Sequence, residues 1–273
     1  MKTALLQLNS GDDPVKNLPV TMAWIAEAAG AGAGFILTPE VTNCVSSSRA
    51  RQQEVLSLEP QDQTLKALRG QAAELGIWLL IGSLALKTGD ADGRFANRSF
   101  LISPKGQIAA RYDKIHMFDV TVSETEAYHE SKGYRPGDRA VLADGPCALG
   151  LTICYDVRFP LLYRQLAQAG AECLTVPSAF STVTGAAHWE TLLRARAIEN
   201  GCYVLAPAQT GSHAAAQGKP RETYGHSLAI GPWGEVLADA GTAPGVIYVD
   251  LDPFEVAQAR QRIPALRHDR QYR

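Results

Sequence analysis

The sequence predicts an α/β fold in which mixed sheets are covered by helices, and three features predict it. Short apolar runs alternate with helical patterns along the whole chain, as parallel strands joined by helical crossovers require. Two neighbouring runs are joined tightly enough to form a hairpin, which adds antiparallel strands. No internal repeat or low-complexity linker interrupts the pattern, so the 273 residues read as one domain, 1–273.

The elements follow in order. Residues 3–8 (TALLQL) read as a first strand, and 17–29 as an Ala-rich helix with Leu18, Met22, Ile25 and Ala29 on one face. Residues 35–38 form a short buried strand ending at Pro39, and 61–75 a second helix. Strand 78–83 (WLLIGS) precedes a hairpin of 99–103 and 107–112 around Pro104, Lys105 and Gly106. Residues 149–154 are a strand, 160–169 a helix opened by Pro160, and 173–176 a strand. A helix over 187–200, a strand over 203–207, short strands at 228–230, 236–237 and 246–249, and a helix over 253–262 complete the pattern. Residues 116–138 show no clear period, and a loop of that length is usually functional or disordered. The basic tail, with Arg267, His268, Arg270 and Arg273, is expected to reach over the surface or a partner subunit.

Composition narrows the function classes. The chain is 46% hydrophobic, 20% charged and has a net charge of −2, so no field favours nucleic acid or an anionic membrane surface. The N-terminal MKTALLQLNSGDD turns polar too soon for a signal peptide or spanning helix. Five cysteines without a CxxC pair argue against a disulfide framework and a structural zinc site, and point to the reducing cytoplasm. Cys147, Cys173 and Cys202 read as packing residues; Cys44 follows Glu40 closely enough to approach it.

Three places deliver a polar residue to the end of an apolar strand. At Phe35–Glu40 a carboxylate reaches the carboxyl edge of a strand, where ligands gather in open α/β sheets. Beside apolar walls Glu40 would have a raised pKa and could act as a general base; it could equally cap a helix or sit in solvent. At 111–116 a strand ends on Lys114, whose ammonium could stabilise an oxyanion and a nearby thiolate, or simply solvate a strand edge. At 148–160 a buried strand runs into Cys154, followed by an abrupt turn to Pro160. A nucleophile at such a bend is presented beside backbone N–H groups, and a helix start and a lysine would favour its thiolate. The neighbours Asp156 and Arg158 argue against a purely packing cysteine.

Together LTPE (37–40), YDKIHMFD (112–119) and ICYDVRFP (153–160), in that chain order, resemble the nitrilase superfamily of carbon–nitrogen hydrolases, over nearly the whole chain. The resemblance implies a four-layer αββα sandwich of two mixed sheets, paired as a homodimer or larger homo-oligomer. It also implies the roles: Glu40 the general base, Lys114 the oxyanion stabiliser with the Tyr155 backbone N–H, Cys154 the nucleophile, and no metal or organic cofactor. A second active-site Glu is implied before the Cys; Glu130 fits, with Glu124 and Glu126 as neighbouring alternatives. The motif after the Cys commonly reads Arg-Phe-Pro-Glu, whereas here Leu161 follows Pro160, which removes a possible salt bridge and no catalytic role.

Residues 177–197, together with YGHS (224–227) and GPWG (231–234), are similar to the branch holding the deaminated glutathione amidases, with the ω-amidases close by. This implies a small-molecule amide substrate on an oxo-dicarboxylate skeleton, and so a cation for its carboxylate. Arg158 is the candidate, with an ion pair to Asp156 as its structural alternative; Phe180 and Thr184 could line the pocket. Glu190 could position groups from the start of a helix, while Arg194 and Arg196 read as structural or interface pairs. A true nitrilase, an N-carbamoyl amide hydrolase and an inactive interaction module are the competing readings.

Overall fold

The computed structural model describes residues 1–123 and 126–271, with Ser123 and Glu126 described by backbone alone. Its first half contains β1 (Lys2–Gln7), α1 (Pro14–Gly30), β2 (Phe35–Leu37), α2 (Arg49–Val55), α3 (Gln63–Leu75) and β3 (Trp78–Lys87). β4 (Phe95–Ile102), β5 (Ile108–Asp113), β6 (Asp119–Ser123), β7 (Glu126–His129) and β8 (Val141–Asp144) follow. Then come β9 (Ala148–Leu151), α4 (Pro160–Gln168), β10 (Cys173–Thr175), α5 (Thr182–Asn200) and β11 (Tyr203–Ala206). The chain continues through β12 (Thr210–Ser212), β13 (Glu222–Tyr224), β14 (Leu228–Ile230), β15 (Val236–Asp239), β16 (Gly245–Asp250) and α6 (Pro253–Arg262).

Two six-stranded mixed sheets result, ordered β16-β1-β2-β3-β4-β5 and β15-β14-β11-β10-β9-β8. In the first, β1, β2 and β3 are parallel, β16 and β4 run antiparallel to them, and β5 runs antiparallel to β4. In the second, β9, β10 and β11 are parallel, β8 and β14 run antiparallel to them, and β15 runs antiparallel to β14. The period of two along a strand sets the layers. In the first sheet Leu5, Phe35, Leu37, Leu80 and Leu101 pack with Leu149 and Leu151 of the second. Their neighbours Ala4, Leu6, Ile36, Leu79, Phe100 and Ile102 face the other way, onto Ile25 and Ala28 of α1 and Leu65, Leu68 and Ala72 of α3. On the far side α4 and α5 pack Leu162, Leu166, Trp189 and Leu193 against the second sheet, giving a four-layer αββα sandwich. Among the described residues no helix is long and apolar enough to cross a membrane.

Local chemistry sets the helix starts. Asp13 accepts from the Val15 N–H at 3.0 Å ahead of Pro14, so α1 begins three residues earlier than its apolar period. Asp62 accepts from Leu65 N–H at 2.7 Å, which moves the start of α3 from 61 to 63. The buried face of α1 is Asn17, Thr21, Ile25 and Ala28, with Leu18, Met22 and Ala29 only partly buried. Asn17 is drawn in because its amide bonds both backbone groups of Gly11 and the Asn43 carbonyl, at 2.8–2.9 Å. The segment 116–138 holds the β6–β7 hairpin, and the C-terminal segment folds back so that Asp269 accepts from Arg164 of α4 at 3.0 Å. Arg273 and Glu124 lie outside the described residues, as does the side chain of Glu126.

Candidate active site

Four chain segments bring their polar residues to one place. Past β2, the turn at 38–43 buries Glu40, which is 4% exposed. Thr42 Oγ1 donates toward Thr38 Oγ1 (2.8 Å) and the Pro39 carbonyl (2.7 Å), and Ser83 Oγ accepts the Val41 N–H at 2.8 Å. These bonds hold Val41 at φ 47°, a conformation that a β-branched residue adopts only under constraint. Gly82 is required beside this turn: a Cβ there would lie 1.9 Å from the Thr38 carbonyl oxygen and 2.5 Å from Pro177 Cβ.

Lys114 follows β5 and is 2% exposed. Its backbone is gripped on both sides, donating to Asn97 O at 3.0 Å and accepting from Gly137 N–H at 2.7 Å. The approach of Gly137 is so close that a Cβ would meet the Asp113 carbonyl oxygen at 2.3 Å. Nζ lies 3.0 Å from Glu40 Oε1 and 2.9 Å from each carboxylate oxygen of Glu130. Glu130 is fixed in turn by the Phe118 N–H at 2.6 Å. Of the three glutamates that could complete the set, Glu130 is therefore seated on the lysine. The rest of Glu40 is satisfied by Asn97 Nδ2 on Oε1 (2.8 Å) and the Ala179 N–H on Oε2 (2.8 Å).

Cys154 does not end a strand, as the apolar run suggests; β9 stops at Leu151 and Cys154 opens a 3-10 turn, Cys154–Arg158, at φ 48°. Its N–H donates to Pro177 O at 3.0 Å. Buried Asp156 holds the turn, accepting from the Ile153 N–H (2.9 Å), Tyr112 Oη (2.7 Å), the His116 N–H (3.0 Å) and His116 Nδ1 (2.7 Å). With every acceptor direction of Asp156 used, the ion pair to Arg158, the structural alternative for that arginine, does not form. Arg158 instead lies over the rings of Tyr155 and Phe180, 5.9 and 5.7 Å from their centroids, and 3.3 Å from His188 Nδ1.

Two protonation expectations are corrected. Burial acts to raise the Glu40 pKa, but the charges of Lys114 and Arg221 and the bonds from Lys114 and Asn97 outweigh it, so Glu40 is held below the usual carboxylate value. Burial also raises the Cys154 thiol, and the Glu40 charge adds to it against the opposing pull of Lys114. The thiol is thus held protonated beside a carboxylate rather than standing as a ready thiolate. Lys114 stays an ammonium: its burial cost is outweighed by Glu130 and Glu40, lifting its pKa well above the ordinary lysine value. A carboxylate next to a protonated thiol and an ammonium is arranged for general-base activation of a nucleophile.

These groups form the floor of a cavity of about 810 Å³. Tyr155, Phe180 and Thr184 line it, as does Cys44, whose thiol burial pushes up to about 12. Arg158 stands behind Tyr155 and Phe180 and is not a lining residue; Glu190 pairs with Arg194 at 3.2 Å on the helix exterior, away from the cavity. Arg196 is buried and bonds Val157 O and Glu199, a structural role. Besides Lys114, the Lys and Arg side chains that line the cavity are Arg49, Lys132, Lys219 and Arg221, none of which the sequence singles out. Arg221 donates to the Ala179 carbonyl at 2.7 Å, and its Nε is buried with no partner among the described residues, as are Asn97 Oδ1, Ser181 Oγ and Thr184 Oγ1. Asn97 could have been suspected as a polar residue inside an apolar strand (FANRSF); Arg221 sits in a polar stretch with no local mark. Among the described residues no group of three His, Cys, Asp or Glu side chains is placed to hold a metal ion.

The carbon–nitrogen hydrolase family model matches residues 2–261. A deaminated glutathione amidase from Synechocystis is 39% identical over 268 residues, covering 97% of this chain and 96% of that protein. A human omega-amidase is 38% identical over 270 residues, covering 98% and 95%. The crystal structure of Saccharomyces cerevisiae Nit3, a member of branch 10 of the nitrilase superfamily, superposes with a TM-score of 0.85 at 29% identity, covering 98% and 96%. The chain belongs to the carbon–nitrogen hydrolase family and is an amidase of the nitrilase fold.

Proposed function

We propose that the enzyme hydrolyses deaminated glutathione through a thioester on Cys154, releasing 2-oxoglutarate and cysteinylglycine. The observation that carries the chemistry is the buried Glu40–Lys114–Glu130 network set against a protonated Cys154 on the cavity floor. Glu40 takes the thiol proton as Sγ attacks the amide carbon. Lys114 and the Tyr155 backbone N–H hold the oxyanion. Glu40 then passes the proton to the leaving nitrogen, and the C–N bond breaks. A water that Glu40 deprotonates attacks the thioester, and the acid leaves with the thiol restored. Glu130 acts through Lys114, holding its ammonium in place with two oxygens at 2.9 Å.

The substrate reading is supported by the near full-length similarity to deaminated glutathione amidases and by a cavity in the range that encloses a tripeptide-sized ligand. Arg221, rather than Arg158, is the candidate to pair with the oxo-acid carboxylate, and Thr184 and Ser181 offer hydroxyls unpartnered among the described residues to its oxygens. The ω-amidase reading, on 2-oxoglutaramate, is favoured by the human relative at nearly equal identity. We further propose that residues 1–273 act as one catalytic unit, in a homodimer, in the cytoplasm, where free thiols stay reduced.

One assay separates the readings: 2-oxoglutarate release from deaminated glutathione and from 2-oxoglutaramate, by wild-type protein and Cys154→Ala. A kcat/KM favouring the first supports the proposal, and one favouring the second replaces it with the ω-amidase. Turnover that survives in Cys154→Ala would sink the nucleophile assignment.

A further inference from the structure

The catalytic floor occupies only part of the cavity, and its mouth has a charge pattern that the chemistry above does not use. Three exposed cations line it from three separate segments: Arg49 at the start of α2, Lys132 in the turn Glu130–Lys132, and Lys219 in the β12–β13 connection. The segments are tied to one another. Arg49 Nη1 donates to the carbonyls of Lys132 and Gly133 at 3.1 and 3.2 Å, and Ser47 Oγ donates to the Lys219 carbonyl at 2.6 Å. Within the described residues no carboxylate lies within 4.0 Å of any of the three side-chain cations. Of the three lining acids, Glu40 and Glu130 are already committed to Lys114, and Glu222 alone is left at the opening to oppose the cations. A chain with a net charge of −2 has therefore gathered an excess of positive charge around one opening.

We propose that Arg49, Lys132 and Lys219 form a leaving-group subsite that receives the terminal carboxylate of an amino acid or dipeptide on the amine side of the scissile amide. The inference rests on the proposed amidase reading and deepens it. An enzyme that released only ammonia would have no anion to place at the mouth. A peptide-like leaving group reaches outward from the carbonyl over Cys154 and ends in a carboxylate. Paired there, it adds attraction in the productive pose and lengthens the reach over which the substrate is steered. Lysine and arginine at an exposed mouth act mainly as charges, so the pairing distinguishes a terminal carboxylate from its amide more than it adds affinity.

The test is a cycle of substrate against enzyme. Two substrates are compared: N-(2-oxoglutaryl)-cysteinylglycine with a free terminal carboxylate, and the same compound as its terminal amide. For wild-type protein kcat/KM should favour the free acid by about five- to tenfold. In Lys132→Met/Lys219→Met the ratio should fall toward one, and in Lys132→Arg/Lys219→Arg the preference should return, which separates lost charge from a damaged fold. Equal turnover of both compounds by wild-type protein overturns the subsite while leaving the proposed substrate standing. A preference that persists undiminished in the Met variant also overturns it. If neither compound is hydrolysed while 2-oxoglutaramate is, the deaminated glutathione reading fails and the subsite with it.

Discussion

As the proposed general base Glu40 must be ionised to accept a proton, yet it is 4% exposed. Its neighbours resolve the conflict: Lys114 and Arg221 supply positive charge, and Asn97 and the Ala179 N–H complete its hydrogen bonds. Glu40→Gln keeps the volume and several bonds while removing the base, so kcat/KM should drop about 10²- to 10⁴-fold in the product-release assay. Near wild-type turnover would take Glu40 out of the mechanism. Arg221 touches the same group through the Ala179 peptide, whose carbonyl accepts from Arg221 while its amide partner lies on Glu40. Removing that charge should let the Glu40 pKa rise, so Arg221→Met should move the acid limb of the kcat/KM profile to higher pH. An unmoved limb would mean that Lys114 alone sets the ionisation of Glu40. Glu40, Lys114 and Cys154 could be picked out in the sequence because each follows within three residues of a strand's end. The sequence could not show Arg221, whose approach to Glu40 spans 181 residues and depends on how a loop folds back, nor the sign of the Glu40 shift, which depends on charges from distant segments.

The elements that lay hidden are those whose order comes from elsewhere in the molecule. Helix α2 (RARQQEV) has one buried residue, Gln52, which reaches Tyr134 Oη at 2.7 Å, so no apolar face announced it. Strands β12 and β13 are three residues each, too short for a period. By contrast β1, β2, β3, β9 and β10 have both faces covered and read as continuous apolar runs. The β12–β13 hairpin brings Lys219 and Arg221 to the cavity and is clamped by buried His213. Nδ1 of that ring donates to the Ser10 carbonyl at 2.7 Å, which leaves Nε2 to accept from Thr223 Oγ1 at 2.7 Å. Burial, foremost, pushes its pKa down from 6.5 to about 4. The unfolded chain therefore takes up a proton below about pH 6.5 that the folded ring refuses until about pH 4, and stability is lost as pH falls across that window. From this group wild-type protein should lose about 2 kcal/mol between pH 7 and pH 5. Urea midpoints of His213→Gln at the two pH values should differ by correspondingly less; an equal loss would place the titration elsewhere. A second element-scale test is Gly82→Ala, which forces a methyl onto the turn bearing Glu40. It should cost about 1–3 kcal/mol by thermal unfolding and lower turnover, because the Thr38–Glu40 backbone has to move.

At the scale of the whole molecule, the sandwich buries the inner faces of both sheets and leaves apolar side chains on its outer helices. Ile198 of α5 is 54% exposed and lies against Gly234, beside Trp233, which is 47% exposed. The Arg262 guanidinium of α6 sits 3.9 Å from the centre of the Trp233 ring. Thus α5, the β14–β15 turn and α6 present one continuous surface in which an aromatic ring and a cation are already stacked. Single exposed apolar residues need no explanation, whereas a contiguous set joined to an aromatic and an arginine has the make-up of an interface centre. A twofold pairing would bring this patch against its own copy and cover it without adding any new surface type. Wild-type protein should therefore sediment as a dimer, and Ile198→Glu/Trp233→Glu should shift it to the monomer, since two like charges per subunit would meet across the axis. The patch shares no residue with the cavity lining, so a monomer that keeps its turnover would show a catalytic site complete within one chain, and one that loses turnover would show that pairing braces α5, whose N-terminal end bears Thr184. A wild-type protein that sediments as a monomer would instead free this surface from any role in self-association.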